Sequence, residues 1–195
     1  MARRQERAQV DTASQILDVA ERLVQIRGFN GFSYADIASE MGITKASLHY
    51  HFAGKAELGQ ALVARYAARF AEALEAIDER GDDAVAKLEA YASIYAEVLR
   101  DGRMCLCGML AAEYDTLPKP MRKAIIGFFD DSEAWLTDVI EQGEKEGSLS
   151  LDGRARDGAQ TIVSGLEGAL LVARPYGDVD RFQAAATRLL ASLAA

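Results

Sequence analysis

The chain has 195 residues, half of them hydrophobic and 27% charged, with a net charge of −8, three prolines and two cysteines. That length can bury a full core in one domain of typical size or in two small ones, and two cysteines exclude a disulfide framework. The longest late apolar stretch, 169–173, is far too short to cross a bilayer, and the basic N-terminus leads into no apolar signal region, so a reducing cytoplasmic location is expected. Ala, Leu, Glu and Arg recur throughout while strand signals are absent, which predicts an all-α fold.

In chain order, a first helix is predicted over 12–27, followed by the link Gly28-Phe29-Asn30-Gly31-Phe32. Ser33 is a good N-cap for a short helix burying Ile37, Ala38 and Met41, and Gly42 supplies a left-handed stop. Thr44 caps the next helix. That helix buries Leu48 and Phe52, four apart on one face, and turns Lys45, Ala46, His49 and Tyr50 outward. Two short helices about a tight turn form a helix-turn-helix, whose second helix matches the width of the DNA major groove. The same layout also occurs in helical proteins that bind no DNA. Charge placement favours the nucleic-acid reading. No acid occurs from Gly42 to Gly54, and residues 1–60 carry seven Lys or Arg against seven Asp or Glu, leaving fifteen against twenty-three for the remainder. Lys55, just past the helix, is placed to meet a backbone phosphate, and the hydroxyls of Ser33 and Tyr34 sit at a helix N-terminus suited to the same anion. Thr44, Ser47 and His51 complete the candidate DNA-binding set. Arg3, Arg4 and Arg7 read either as a basic arm on DNA or as a solvated tail.

Beyond this unit, Leu58, Leu62 and Tyr66 open a long helix predicted over 55–79, ended by Arg80-Gly81-Asp82-Asp83. The next, 85–100, has Leu88, Tyr91, Ala92, Tyr95 and Leu99 at helical spacing. A compact apolar segment covers 104–114. Leu117-Pro118-Lys119-Pro120 then starts a long helix that carries Ile125, Phe128, Phe129, Trp135, Leu136, Val139 and Ile140 to a stop near Gly147. The last two helices each show one apolar stripe: Ile162, Leu166, Ala169, Leu170 and Ala173, then Phe182, Ala186, Leu189, Leu190 and Leu193. Such stripes either fold against the body or pair with their copies in a second subunit.

The predicted first helix, the 28–33 link, Asp36-Ile37-Ala38, Gly42-Ile43-Thr44-Lys45 and the run from Leu48 to Lys55 together resemble the N-terminal domain of TetR/AcrR-type transcriptional regulators over roughly the first third of the chain. The resemblance implies a three-helix DNA-binding domain over 1–54, joined by a long helix to a helical ligand-binding and dimerisation domain over 55–195. It further implies a homodimer on a palindromic operator, most often a repressor, released by a small-molecule effector. The final two helices would form the dimer, through Ile162, Leu166, Ala169, Leu170, Phe182, Ala186, Leu189, Leu190 and Leu193. The effector would lie among the middle helices, with Tyr91, Tyr95, Met104, Cys107, Leu110, Tyr114, Phe128, Phe129 and Trp135 as candidate contacts, although aromatic residues at helical spacing also serve simply as core. The chain departs from the family where His49 stands in place of the usual tyrosine and Tyr50 follows it.

Cys105-Leu106-Cys107 raises a second reading, a repressor that senses oxidants or electrophiles through a thiol made more acidic by Arg103. Cysteines two apart point to different sides of a helix, which disfavours an internal disulfide and suits inert buried thiols. A cysteine-dependent enzyme lacks its base, because His49 and His51 both lie in the proposed DNA-reading helix. No phosphate loop, metal-ligand spacing or Ser-His-Asp arrangement is evident, so neither cofactor nor metal is expected.

Overall fold

The structure, a computed structural model, describes residues 2–193, with side chains from residue 11 onward. Nine α-helices and two short 3₁₀ turns make up the regular elements among the described residues, and no strand occurs among them. The all-α fold predicted from composition is the fold observed.

By their contacts the residues form two compact units, and the first is discontinuous in sequence: 1–66 together with 106–125. It contains α1 (Ala2–Arg27), α2 (Tyr34–Met41), α3 (Lys45–His51), the first half of α4 (Lys55–Asp78), α6 (Leu106–Ala112), the 3₁₀ turn Tyr114–Thr116 and the start of α7 (Lys119–Glu146). α1 begins ten residues before the predicted start, at Ala2; the side chains of Arg3, Arg4 and Arg7 lie outside the described residues. From Ile16 on, α1 buries Ala20, Leu23 and Val24 at helical spacing and packs against α2 and α6. Gly59 of α4 marks a close approach, since a Cβ there would fall 2.5 Å from the Met121 sulfur.

The second unit takes 67–105 and 126–195. It contains the rest of α4, α5 (Ala84–Arg100), most of α7, α8 (Ala155–Ala173), the 3₁₀ turn Arg174–Tyr176 and α9 (Val179–Ala191). Its core joins α8, α9 and α5. Within one chain the residues of the two terminal stripes are already covered to differing extents. Ile162, Leu166, Leu170, Phe182, Ala186 and Leu193 are buried within the single chain, and Ala169, Leu189 and Leu190 are partly so. The i, i+4 spacing reports burial correctly, but the burying partner is the chain's own α5 and the facing terminal helix. A second copy cannot cover atoms already out of solvent. The outer face of α8 instead exposes Thr161, Ser164, Gly168, Leu171 and Val172.

Candidate functional site

The helix-turn-helix forms as the local sequence dictates. The Ser33 backbone N–H and hydroxyl both donate to the Asp36 carboxylate, at 2.7 and 2.6 Å. These bonds hold the Asp36 carboxyl below its ordinary range. Gly42 ends α2 with φ of 65°, a conformation open to glycine at little cost, and its N–H returns to the Ala38 carbonyl. Thr44 Oγ1 then accepts the Ser47 N–H at 3.1 Å, which starts α3.

α3 buries Leu48 completely and ends at the buried Phe52. Its outer surface presents Lys45, Ala46, His49 and Tyr50, with Tyr50 72% exposed and Ser47 and His51 partly so. The Tyr50 and His51 rings meet edge to face at 5.4 Å, and His49 Nδ1 lies 3.1 Å from the Ala53 carbonyl. The Tyr34 ring supports His49 with centroids 4.9 Å apart. The Tyr34 hydroxyl donates to the Phe52 carbonyl at 3.1 Å and is pushed up to about 12, chiefly by desolvation. The hydroxyls of Ser33 and Tyr34, expected to meet phosphate, thus each donate to a group of the protein itself, Ser33 at the exposed surface and Tyr34 in a part-buried position.

Lys55 departs furthest from expectation. Its ammonium turns inward and donates to the carbonyls of Phe29 and Phe32, each at 2.5 Å, while lying 4.7 and 4.2 Å from the centres of the same two rings. Partial burial lowers its pKa. The lysine thus holds the 28–32 link from its carbonyl side. Glu113, which sequence reading missed, holds it from the amide side: its carboxylate accepts the Phe29 N–H at 2.5 Å, the Asn30 N–H at 3.2 Å and the Asn30 side-chain amide at 3.2 Å. A pairing across more than eighty residues leaves no trace in local pattern.

In the second unit, several effector candidates converge. Tyr91 stacks on Trp135 with centroids 5.7 Å apart and 18° between planes, and meets Tyr95 at 5.5 Å. Phe70 joins edge-on to Tyr91 and to Phe128, and Phe129 lies edge-on to Phe128. The Tyr91 and Tyr95 hydroxyls are 3.2 Å apart, and burial drives both phenols well above their ordinary values. Trp135 donates its indole N–H to Asp78 at 2.8 Å. Met104 is buried in the same unit. Cys107, Leu110 and Tyr114 belong to the first unit; Cys107 and Leu110 are buried in α6, and the Arg122 guanidinium lies 5.4 Å from the Tyr114 ring. Sequence reading missed two polar members of the cluster, Ser132, whose hydroxyl donates to the Phe128 carbonyl, and Glu167, which receives a hydrogen bond from the Cys105 thiol. Arg103 pairs with Asp101, and both thiols are buried.

Comparison with known proteins matches both parts of the chain. Residues 16–62 fit the description "Bacterial regulatory proteins, tetR family", and residues 84–189 fit "Tetracyclin repressor-like, C-terminal domain". The transcriptional regulator AcuR of Cereibacter sphaeroides is 29% identical over 152 residues, 76% of this chain and 69% of that one. The HTH-type transcriptional repressor NemR of Escherichia coli K12 is 26% identical over 170 residues, 84% of each chain. Among solved structures, a TetR-family regulator from Agrobacterium tumefaciens superposes with a TM-score of 0.92 at 33% identity, covering 96% of this chain and all of that one. A TetR regulator from Legionella pneumophila gives 0.84 at 31%, covering 92% and 95%. A helix-turn-helix that exposes α3, two family descriptions that match in order, and a likeness along nearly the whole chain converge on one identity: the chain belongs to the TetR family of DNA-binding transcriptional regulators.

Proposed function

We propose that the protein is a homodimeric repressor that occupies a palindromic operator and is released when a small effector enters the aromatic cluster of the second unit. The observation that carries this reading is the outer surface of α3, where Lys45, Ala46, His49 and Tyr50 stand exposed in a stretch free of acids. One such helix reads a half-site, so operator affinity requires two, about one DNA turn apart. Lys45 supplies charge to phosphate, and Tyr50 and His49 reach base edges or thymine methyls.

The second copy is placed on the outer face of α8 and the turn after it. Leu171, Val172 and Tyr176 are 59%, 55% and 65% exposed there, an apolar surface the chain itself leaves open. In the second unit, Tyr91, Tyr95, Phe128 and Trp135 supply apolar rings with a few hydroxyls, as small-molecule sites do. An effector that binds the DNA-incompetent state more tightly lowers operator affinity by that difference.

Fluorescence anisotropy with the gene's own upstream region tests the reading. Salt-sensitive binding that competitor DNA of unrelated sequence fails to remove supports it, whereas equal affinity for any duplex points to a helical protein without an operator.

A further inference from the structure

The aromatic cluster contains one acid that the protein leaves uncompensated. Glu167 lies on α8 beside the fully buried Leu166, three residues before Leu170. Part of the residue reaches the surface, yet its Oε1 is buried and has no hydrogen-bond partner. The one group that bonds to its carboxyl is the Cys105 thiol. The other titratable groups facing it are the phenols of Tyr91 and Tyr95 on α5, both neutral near pH 7, and no charged side chain of α7 or α9 acts on it. Among the described residues it belongs to no ion pair.

A carboxylate in such surroundings is expensive to ionise, and desolvation raises its pKa to about 7. Burial thus favours the protonated form of this acid toward neutral pH, and no protein group bonds to its Oε1. What completes the site must bring a positive charge or a strong donor to Oε1 and tolerate the faces of Tyr91, Tyr95 and Trp135. Aromatic faces attract cations, and the attraction grows when the cation is desolvated. An anionic ligand would be repelled by the carboxylate, and a hydrocarbon would leave Oε1 unsatisfied.

We propose that the cluster binds a small organic ammonium ion, its charge met by Glu167 and its carbon body laid against Tyr91, Tyr95 and Trp135. The proposal rests on the reading of this cluster as the effector site and adds the chemical class of the effector. Binding in this manner displaces the proton that Glu167 carries below neutrality, so the ligand and the proton compete for one carboxylate.

The experiment compares 2-phenylethylammonium with its neutral counterpart 2-phenylethanol, following Trp135 fluorescence and operator release on the full-length protein between pH 5.5 and 8.5. The amine stays charged across that range. The expected result is at least about tenfold tighter binding of the amine at pH 8, with its affinity falling toward about tenfold per pH unit as Glu167 is protonated. Glu167→Gln is expected to bring the two ligands within about twofold of each other and to flatten the pH profile, because the variant carries no titrating charge. The wild-type pH profile tests the proposal without any variant. Equal, pH-independent binding of both compounds overturns the ammonium assignment and leaves the effector cluster standing. Failure of both to change Trp135 fluorescence or operator binding overturns the cluster as an effector site, and the ammonium assignment with it.

Discussion

The Glu113 carboxylate accepts the backbone N–H of Phe29, eighty-four positions earlier in the chain, and so fixes the link between the first helix and the DNA-reading pair. The same carboxylate takes the Asn30 N–H, while Lys55 caps the carbonyls of Phe29 and Phe32. Both polar faces of one short backbone segment are thereby satisfied by side chains of opposite charge. Gly28 opens this segment at φ of 79°, and a Cβ there would lie 2.8 Å from a Glu113 oxygen.

Glu113→Ala leaves at least one part-buried amide without its acceptor and is expected to cost about 1–3 kcal/mol in urea unfolding. Amide hydrogen exchange at Phe29 and Asn30 should accelerate in the same variant. Protection equal to wild type would show that the carboxylate contributes little to holding the link.

For Lys55 and Lys45 the structure predicts opposite signatures. Lys55→Ala removes a carbonyl cap, so stability should fall by about 1–3 kcal/mol while the slope of log affinity against log salt hardly changes. Lys45→Ala should leave stability intact and reduce that slope by about one. A salt titration of operator binding by the two variants distinguishes the roles, and a reduced slope for Lys55→Ala would return that residue to the phosphate.

Leu166 and Leu171 lie five apart on α8 and answer to different surroundings. Leu166→Glu buries a charge in the protomer core and should prevent folding, seen as loss of the cooperative thermal transition. Leu171→Glu should give a folded monomer by sedimentation with operator affinity sharply reduced, since a single recognition helix remains per particle. A dimeric Leu171→Glu protein with native affinity places the subunit seam elsewhere.

Glu167 also predicts how stability varies with pH. Its folded-state pKa, about 7, lies above that of an unfolded glutamate, so the folded state holds the extra proton. Stability from this group is therefore complete below the unfolded value near pH 4.5 and is lost as pH rises through about 7. Wild type minus Glu167→Gln, measured by urea unfolding at pH 5 and pH 8, should show wild type losing up to about 3 kcal/mol relative to the variant across that interval. A constant difference would mean that Glu167 does not titrate there.

What the sequence disclosed and what it hid divide along range. The caps at Thr44 and the stop at Gly42 rest on neighbours a few residues away, and both are found where local chemistry places them. The stripe through Leu166 and Leu170 reported burial without reporting by what, because helical period is the same whether the cover is another helix of the chain or a second chain. The place of Lys55 just past the recognition helix points it toward phosphate; the carbonyls and rings of Phe29 and Phe32 that favour the inward position come together only in three dimensions. Glu167 sits between Leu166 and Gly168, and nothing in that local pattern shows that its carboxyl is turned toward Cys105, sixty-two residues away in the chain. Glu113 follows a run of small residues at a helix end, where a carboxylate passes for surface decoration.

That residues 106–125 belong to the DNA-reading unit bears on how regulators of this kind are recombined. A hybrid made by a single splice after the recognition helix would take its recognition half from one parent and Glu113 from the other, so Phe29 and Asn30 would face a side chain that was never selected to fit them. A graft that respects the contacts has three junctions, after 66, 105 and 125, and carries α6 along with the helices that touch DNA.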